Sequence, residues 1–330
     1  LASSLRALFS VRLLATLFKA NNTDPNNGYP LGKYVSKEIN RLLKMATYAS
    51  ATTASVLIIA KLTAWFMTGS LSLLATLLDS TVDVLASLIT LFAIRVAIRP
   101  ADANHHFGHG KAEQLAVLAQ SAFITGSAIV LILNSLDRIA GDTIALKNEG
   151  SGIWVMVFSM IATLILLLFQ RYVIKRTGSA AIKSDSLHYS MDVLTNLAVI
   201  IALYGGSHGY DKLDNILAFF IGVYMIFSVK KIAWEAIQQL MDHALPPEDL
   251  EEIEKRALSV PGILGVHDVR TRVSGQKAFI QLHLDLEATI PLVMAHDLGA
   301  KAKDAVLHYI PDADVIIHLD PYPHEPILED

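Results

Sequence analysis

Leu77-Leu78-Asp79-Ser80-Thr81-Val82-Asp83-Val84 lies in the middle of an apolar run, Leu73–Arg95. About 20 mostly apolar residues are enough to cross a bilayer. Residues four apart stack on one helix face, so Asp79 and Asp83 point the same way. A second apolar segment, Ala180–Tyr204, repeats the spacing with His188 and Asp192. An aspartate at the bilayer centre costs about 2.5–3.5 kcal/mol on insertion scales, so these acids demand compensation. A dication shared between the two helices supplies it. Nitrogen and oxygen ligands, two from each helix, match a tetrahedral zinc shell. A lone intramembrane aspartate is commonly a helix–helix hydrogen-bonding group or a proton carrier. Two pairs at one spacing favour a metal, with a metal-free proton relay as the alternative. Ser80 and Ser184 read as packing residues.

The rest of the chain agrees with a membrane setting. Of its 330 residues, 53% are hydrophobic and 18% charged, against about 25% charged in soluble domains. The apolar stretches lie before residue 241, and the remainder has the composition of a small soluble domain. Spans are expected at Met45–Met67, Leu73–Arg95, Ala112–Leu136, Ile153–Tyr172, Ala180–Tyr204 and Leu213–Trp234. This divides the chain into an N-terminal extension of unknown role (1–42), a six-span membrane domain (43–240) and a C-terminal domain (241–330). Leu5–Lys19 is basic, apolar and free of acids, a pattern of targeting peptides and surface helices. A poorly ordered extension is the simpler reading.

Lys and Arg set the expected orientation. Seven lie before the first span, and Arg95, Arg99, Lys111, Arg171, Lys175, Arg176 and Lys183 lie on the same side. The opposite loops hold only Arg138, Lys147 and Lys212. Both termini are therefore expected in the cytoplasm. Lys61, inside the first span, is expected to snorkel outward. A net charge of -4 makes nucleic acid an improbable partner. The absence of cysteine removes disulfides, thiolate catalysis and Cys-based zinc sites, so any metal site uses His and carboxylate.

The C-terminal part reads as helix, strand, strand, helix, strand, a small two-layer α+β fold. Pro246-Pro247 opens the first helix. Strands are expected at Gly265–Val273, Ala278–Leu286 and Asp314–Leu319, with a helix over Pro291–Tyr309. His318 and Asp320, two apart on a strand, share a face. His283 lies on a neighbouring strand, opposite Ile280, Leu282 and Leu284. Such a cluster is a natural zinc site at a subunit interface or an ordinary set of surface histidines. In the loop after the second span, His105 and His109 share a face if the loop is helical; loop histidines are often merely solvated.

The pairs Asp79-x-x-x-Asp83 and His188-x-x-x-Asp192, six spans and a cytoplasmic tail resemble the cation diffusion facilitator family. So do Pro100-Ala-Asp-Ala-Asn-His-His-Phe-Gly-His-Gly-Lys-Ala-Glu113, Ser184-Asp-Ser-Leu-His-Tyr189 and Val315-Ile-Ile-His-Leu-Asp-Pro321. The resemblance covers about residues 43 to 321. It implies an all-α six-helix transmembrane domain and a ferredoxin-like, metallochaperone-like C-terminal domain. It implies a transport site at Asp79, Asp83, His188 and Asp192. A second metal site follows at Asp102, His105 and His109. A binuclear site follows in the tail from His267, His283, His296, His318 and Asp320, bridged by Asp320. Lys111 and Asp242 resemble a charged pair that locks the membrane domains of a homodimer.

The implied function is export of Zn²⁺ across a bacterial inner membrane in exchange for H⁺, with Cd²⁺ and Fe²⁺ as further substrates. Zinc binding needs deprotonated carboxylates and neutral imidazole, so protons compete with the metal. An imidazole ligand favours zinc and iron-class metals over manganese or magnesium. The tail site is expected to regulate or stabilise the dimer. Three other readings are a ferrous-iron-selective exporter, a membrane-anchored metal sensor and an intramembrane metallohydrolase. The hydrolase is disfavoured because no His-Glu-x-x-His is present and four clustered ligands would close the zinc shell. An enzyme is not expected.

Overall fold

The computed structural model describes residues 36–68, 71–140, 152–206 and 213–323. Six long helices come first: α1 (Ser36–Thr68), α2 (Leu71–Ala97), α3 (Ala112–Ala140), α4 (Gly152–Thr177), α5 (Ala180–Gly206) and α6 (Leu213–Leu240). Five have the length and composition to cross a membrane. The remaining one, α5, carries Lys183, Asp185, His188 and Asp192 in its first half. It also occupies the most central position, touching each of the other five. The helix that is not among those five is thus the one packed against all the others, as its charged residues require in a bilayer.

The bundle is apolar on the outside. Phe92, Ile165 and Phe227 are all well exposed, which in water would mark an interaction surface and here marks the lipid face. Its interior includes buried polar residues: Ser50, Thr90, Gln120, Gln170 and Asp185. Backbone polar groups are satisfied within the helices, the condition for spanning hydrocarbon.

Helix α1 begins nine residues before the expected span. Ile39 and Leu43, four apart, are buried, while Lys37, Arg41 and Lys44 are exposed. An amphipathic turn pattern continues the helix beyond the apolar run, which hydropathy alone does not register. At 1.5 Å per residue α1 is about 50 Å long, well beyond a hydrocarbon core of about 30 Å. It runs through the expected boundary at residue 42. Residues 1–35, including Leu5–Lys19, lie outside the described residues, as do most of the loops expected on the far side.

The C-terminal domain follows as α7 (Pro247–Leu258), β1 (Gly265–Ser274), β2 (Lys277–Glu287), α8 (Leu292–Tyr309) and β3 (Asp314–Tyr322). Pro246 and Pro247 stand at the start of α7, where a missing N–H costs nothing. The sheet order is β1-β2-β3, antiparallel then parallel, and α8 is the crossover that a parallel pair needs. Ile280, Leu282, Leu284 and Leu286 are buried in the domain core with residues of α7 and α8. The alternating residues of β2 therefore face the other way.

Candidate metal centres

The membrane site is assembled by α2 and α5. His188 Nε2 lies 2.9 Å from Asp83 Oδ1, and both side chains are nearly buried. Asp192, one turn along α5, completes a group whose ligand atoms lie within 4.8 Å of one another. Asp79 stands one turn before Asp83 on α2, and its side chain lies outside the described residues. Beside the site, the Tyr189 hydroxyl meets Ser87 Oγ at 2.8 Å, a second polar tie between the two helices. Lys61 departs from expectation. Its ammonium donates to Ser80 on α2 rather than snorkelling to water, because a neighbouring hydroxyl is within reach. Ser80 is thus an acceptor as well as a packing residue.

One turn before His188, Asp185 is fully buried and gathers three helices around it. Its Oδ2 accepts from Ser50 Oγ on α1 at 2.5 Å and from Gln170 Nε2 on α4 at 2.7 Å. Its Oδ1 accepts from Gln120 Nε2 on α3 at 3.3 Å, and Gln120 also donates to Thr90 on α2. A buried carboxylate needs such donors. Sequence reasoning quoted Asp185 inside a motif and gave it no role.

In the loop before α3, Asp102, His105 and His109 come together, but not on a helix. Residues 98–111 are turns and bends. Asp102 Oδ1 accepts from the backbone N–H of His105 and Asn104 at 2.8 and 2.9 Å, an Asx turn that reverses the chain. The His105 and His109 rings then lie 4.4 Å apart, tilted by 43°, and Asp102 lies 3.4 Å from each. Those backbone donors, His105 first, hold the Asp102 carboxyl below the usual carboxylate range. His109 is mostly buried, and no hydrogen-bond partner of its Nδ1 is found among the described residues. His106 is exposed and reaches only Ala103 O.

The tail site is a product of strand register. His267, His283 and His318 are aligned across β1, β2 and β3; Gly265, Asp285 and Asp320 form the row two residues on. Asp320 is the hub. Its Oδ2 lies 2.8 Å from His283 Nδ1 and 3.5 Å from His267, while its Oδ1 lies 3.2 Å from His318. The two oxygens of Asp320 thus serve different imidazoles, Oδ2 those of His283 and His267 and Oδ1 that of His318. Asp285 was missed in the sequence although it shares the His283 face; it lies 3.2 Å from His267. A Cβ at Gly265 would collide with the Asp285 carboxylate, so glycine keeps that row open. Asp268, at a bulge with φ +46°, lies 3.7 Å from His283. His296 is exposed on α8 and is not part of the group formed within one chain.

Lys111 and Asp242 do pair, at 2.9 Å, within a single chain. Arg272 of β1 joins Asp242 at 3.3 Å and lies over the rings of Phe107 and Phe279. Partial burial raises the Asp242 carboxyl, but the Lys111 hydrogen bond and charge, with Arg272, outweigh it and hold it below the usual range. The pair therefore ties the start of α3 to the end of α6 and to the tail sheet.

Residues 47–241 match the model of the cation efflux transmembrane domain, and residues 245–322 match that of the cation efflux protein cytoplasmic domain. The chain belongs to the cation efflux family. Among curated relatives, the cation-efflux pump FieF of Yersinia enterocolitica serotype O:8 / biotype 1B is 47% identical over 85% of this chain and 93% of its own length. FieF of Escherichia coli O1:K1 / APEC is 44% identical over 87% and 95%. Among solved structures, the zinc form of CzrB is similar to the tail: 31% identity over 26% of this chain and 98% of that one, with a TM-score of 0.23. A multi-span helical membrane domain with a small α+β domain is the architecture of this cation efflux protein. Membership makes it a transporter of divalent metal cations and not an enzyme.

Proposed function

We infer that the protein exports Zn²⁺ from the cytoplasm in exchange for protons, acting as a homodimer in a bacterial inner membrane with both termini inside. The observation that carries this reading is the group Asp83, His188 and Asp192, held between two helices inside the bundle. Asp79, one turn from Asp83, is the fourth ligand. Carboxylates and one imidazole bind a dication, and each must lose its proton to do so. Proton binding from the far side then empties the site. Cd²⁺ is accepted as a surrogate for zinc and Fe²⁺ as a second substrate, since imidazole suits all three better than Mn²⁺.

Asp102, His105 and His109 hold a second cation on the side of the C-terminal domain. His267, His283, His318 and Asp320 hold the regulatory metals, with Asp285 as a further ligand and Asp320 between them. That donor set, three imidazoles around a two-sided carboxylate, suits zinc.

The test is flux into vesicles containing purified protein, with an imposed proton gradient and competing metals. Zinc uptake should follow the gradient and be inhibited by Cd²⁺ and Fe²⁺ but not by Mn²⁺. Uptake indifferent to the gradient would contradict antiport. A sensor would move no zinc. Stronger inhibition by Fe²⁺ than saturation by Zn²⁺ would favour the ferrous-iron exporter.

A further inference from the structure

The first turns of α1 project beyond the expected span on the side that carries the C-terminal domain. There they border an open surface depression of about 490 Å³, whose lining among the described residues is Lys37, Asn40, Arg41, Lys44, Met45 and Tyr48. Three of these six are cations and none is an acid. The one acidic residue of the first turn, Glu38, points elsewhere and lies 3.9 Å from Arg176. A fourth cation, Arg95 of α2, is tied to the last of the six: its guanidinium donates to the Tyr48 hydroxyl and lies 5.2 Å from that ring's centroid.

Lys37, Arg41, Lys44 and Tyr48 repeat at intervals of three and four, so they form one helix face. The same exposed face continues along α1 through Thr52, Val56 and Ile59. The upper part of this stripe is cationic and the lower part is apolar. Tyr48 stands at the junction, the level at which tyrosines mark a membrane–water boundary. A ligand that fits both parts carries a phosphate at one end and hydrocarbon at the other. The geometry points to a binding site for the headgroup of an anionic phospholipid. Its phosphate is held by Arg41 and Lys44, with Lys37 above them, and its acyl chain lies along Thr52, Val56 and Ile59. Arg41 supplies the planar fork that matches phosphate oxygens. Lysines near the surface add attraction that falls off within a Debye length.

The chemistry of the upper part is shared with free phosphate, so the test separates the two. Purified full-length protein in detergent is titrated with phosphatidylglycerol, with phosphatidylcholine and with inorganic phosphate, and bound molecules are counted by native mass spectrometry. Wild-type protein should retain phosphatidylglycerol in preference to phosphatidylcholine. The triple variant Lys37→Gln, Arg41→Gln, Lys44→Gln should bind it at least tenfold more weakly. Arg41→Gln alone, at an exposed position that does not support the fold, should give a smaller loss and serves if the triple variant aggregates. Lys230→Gln with Lys231→Gln, at another cationic stretch on α6, should change nothing. Equal retention of the two lipids would overturn the proposal. So would an equal loss in the α6 variant, which would reduce the effect to general surface charge. Saturable inorganic phosphate binding that blocks lipid uptake would replace the lipid with a soluble anion and overturn it as well.

Discussion

The membrane and tail clusters use the same side chains on opposite scaffolds. In the membrane, Asp83 sits on α2 while His188 and Asp192 sit on α5, so the site exists only where two separate helices meet. In the tail, His267, His283 and His318 are consecutive members of one hydrogen-bonded sheet row. A ladder fixes the spacing of its side chains, and changing it means breaking backbone hydrogen bonds. Two helices can shift or tilt against each other without breaking any. A site that must fill, release and refill belongs on the second kind of scaffold. A site that holds a metal to set a shape belongs on the first.

Burial sharpens the contrast. Asp83 and His188 are about nine-tenths buried, whereas His318 is 64% exposed. Removing a ligand from the first site leaves its buried partners without a hydrogen-bond or charge partner in the bundle interior. Removing one from the second leaves an exposed surface that water can satisfy.

Four substitutions probe the contrast, beginning with the largest effect. His188→Ala should lower zinc flux by at least about a hundredfold, the upper end of what even a supporting group is worth to a metal site. Initial rates in reconstituted vesicles measure it, and a loss below tenfold would remove His188 from the transport site. Asp185→Ala should act on the bundle rather than on the metal. It strands the donors of Ser50, Gln120 and Gln170 in the interior, at a cost of about 3 kcal/mol. Thermal unfolding followed by size exclusion should show a lower midpoint, and Asp185→Asn should restore part of it. An unchanged midpoint would mean the network contributes nothing.

His283→Ala comes next. Calorimetric titration of the full chain should show the tail affinity for zinc falling about tenfold, within the range for damage to a metal site, while flux persists at a reduced level. The smallest effect belongs to Asp242→Asn. The pair with Lys111 is partly exposed, so its loss should cost less than about 1 kcal/mol and be masked by salt. Its pH dependence has a definite sign. Because the folded carboxyl is depressed, the stabilisation is present above the ordinary carboxylate range near pH ~3.9 and is lost as pH falls through the lower folded value. Unfolding midpoints of wild type and variant should therefore converge at strongly acid pH.

Much of this was legible in the sequence because periodicity reports faces. The spacing placed Asp83, His188 and Asp192 on facing helix surfaces, where they meet, and alternation on β2 and β3 put His283, His318 and Asp320 on one sheet face. The same alternation should have given Asp285, two residues after His283. The loop trio comes together through an Asx turn at Asp102, where a helix was the condition read from spacing. The Asp185 network was not legible, since its donors come from three other helices whose packing no local pattern encodes. Nor was the early start of α1, where a helix leaves the membrane and hydropathy no longer reports it.

In the proposed division of labour the membrane group carries the moving cation and the tail row does not. The direct measurement is zinc flux by Asp83→Ala and His283→Ala in matched vesicles under the same proton gradient, at equal amounts of folded protein. Asp83→Ala should give only background flux and His283→Ala clear, gradient-dependent flux. Flux that survives in Asp83→Ala, or that vanishes in folded His283→Ala, would contradict it.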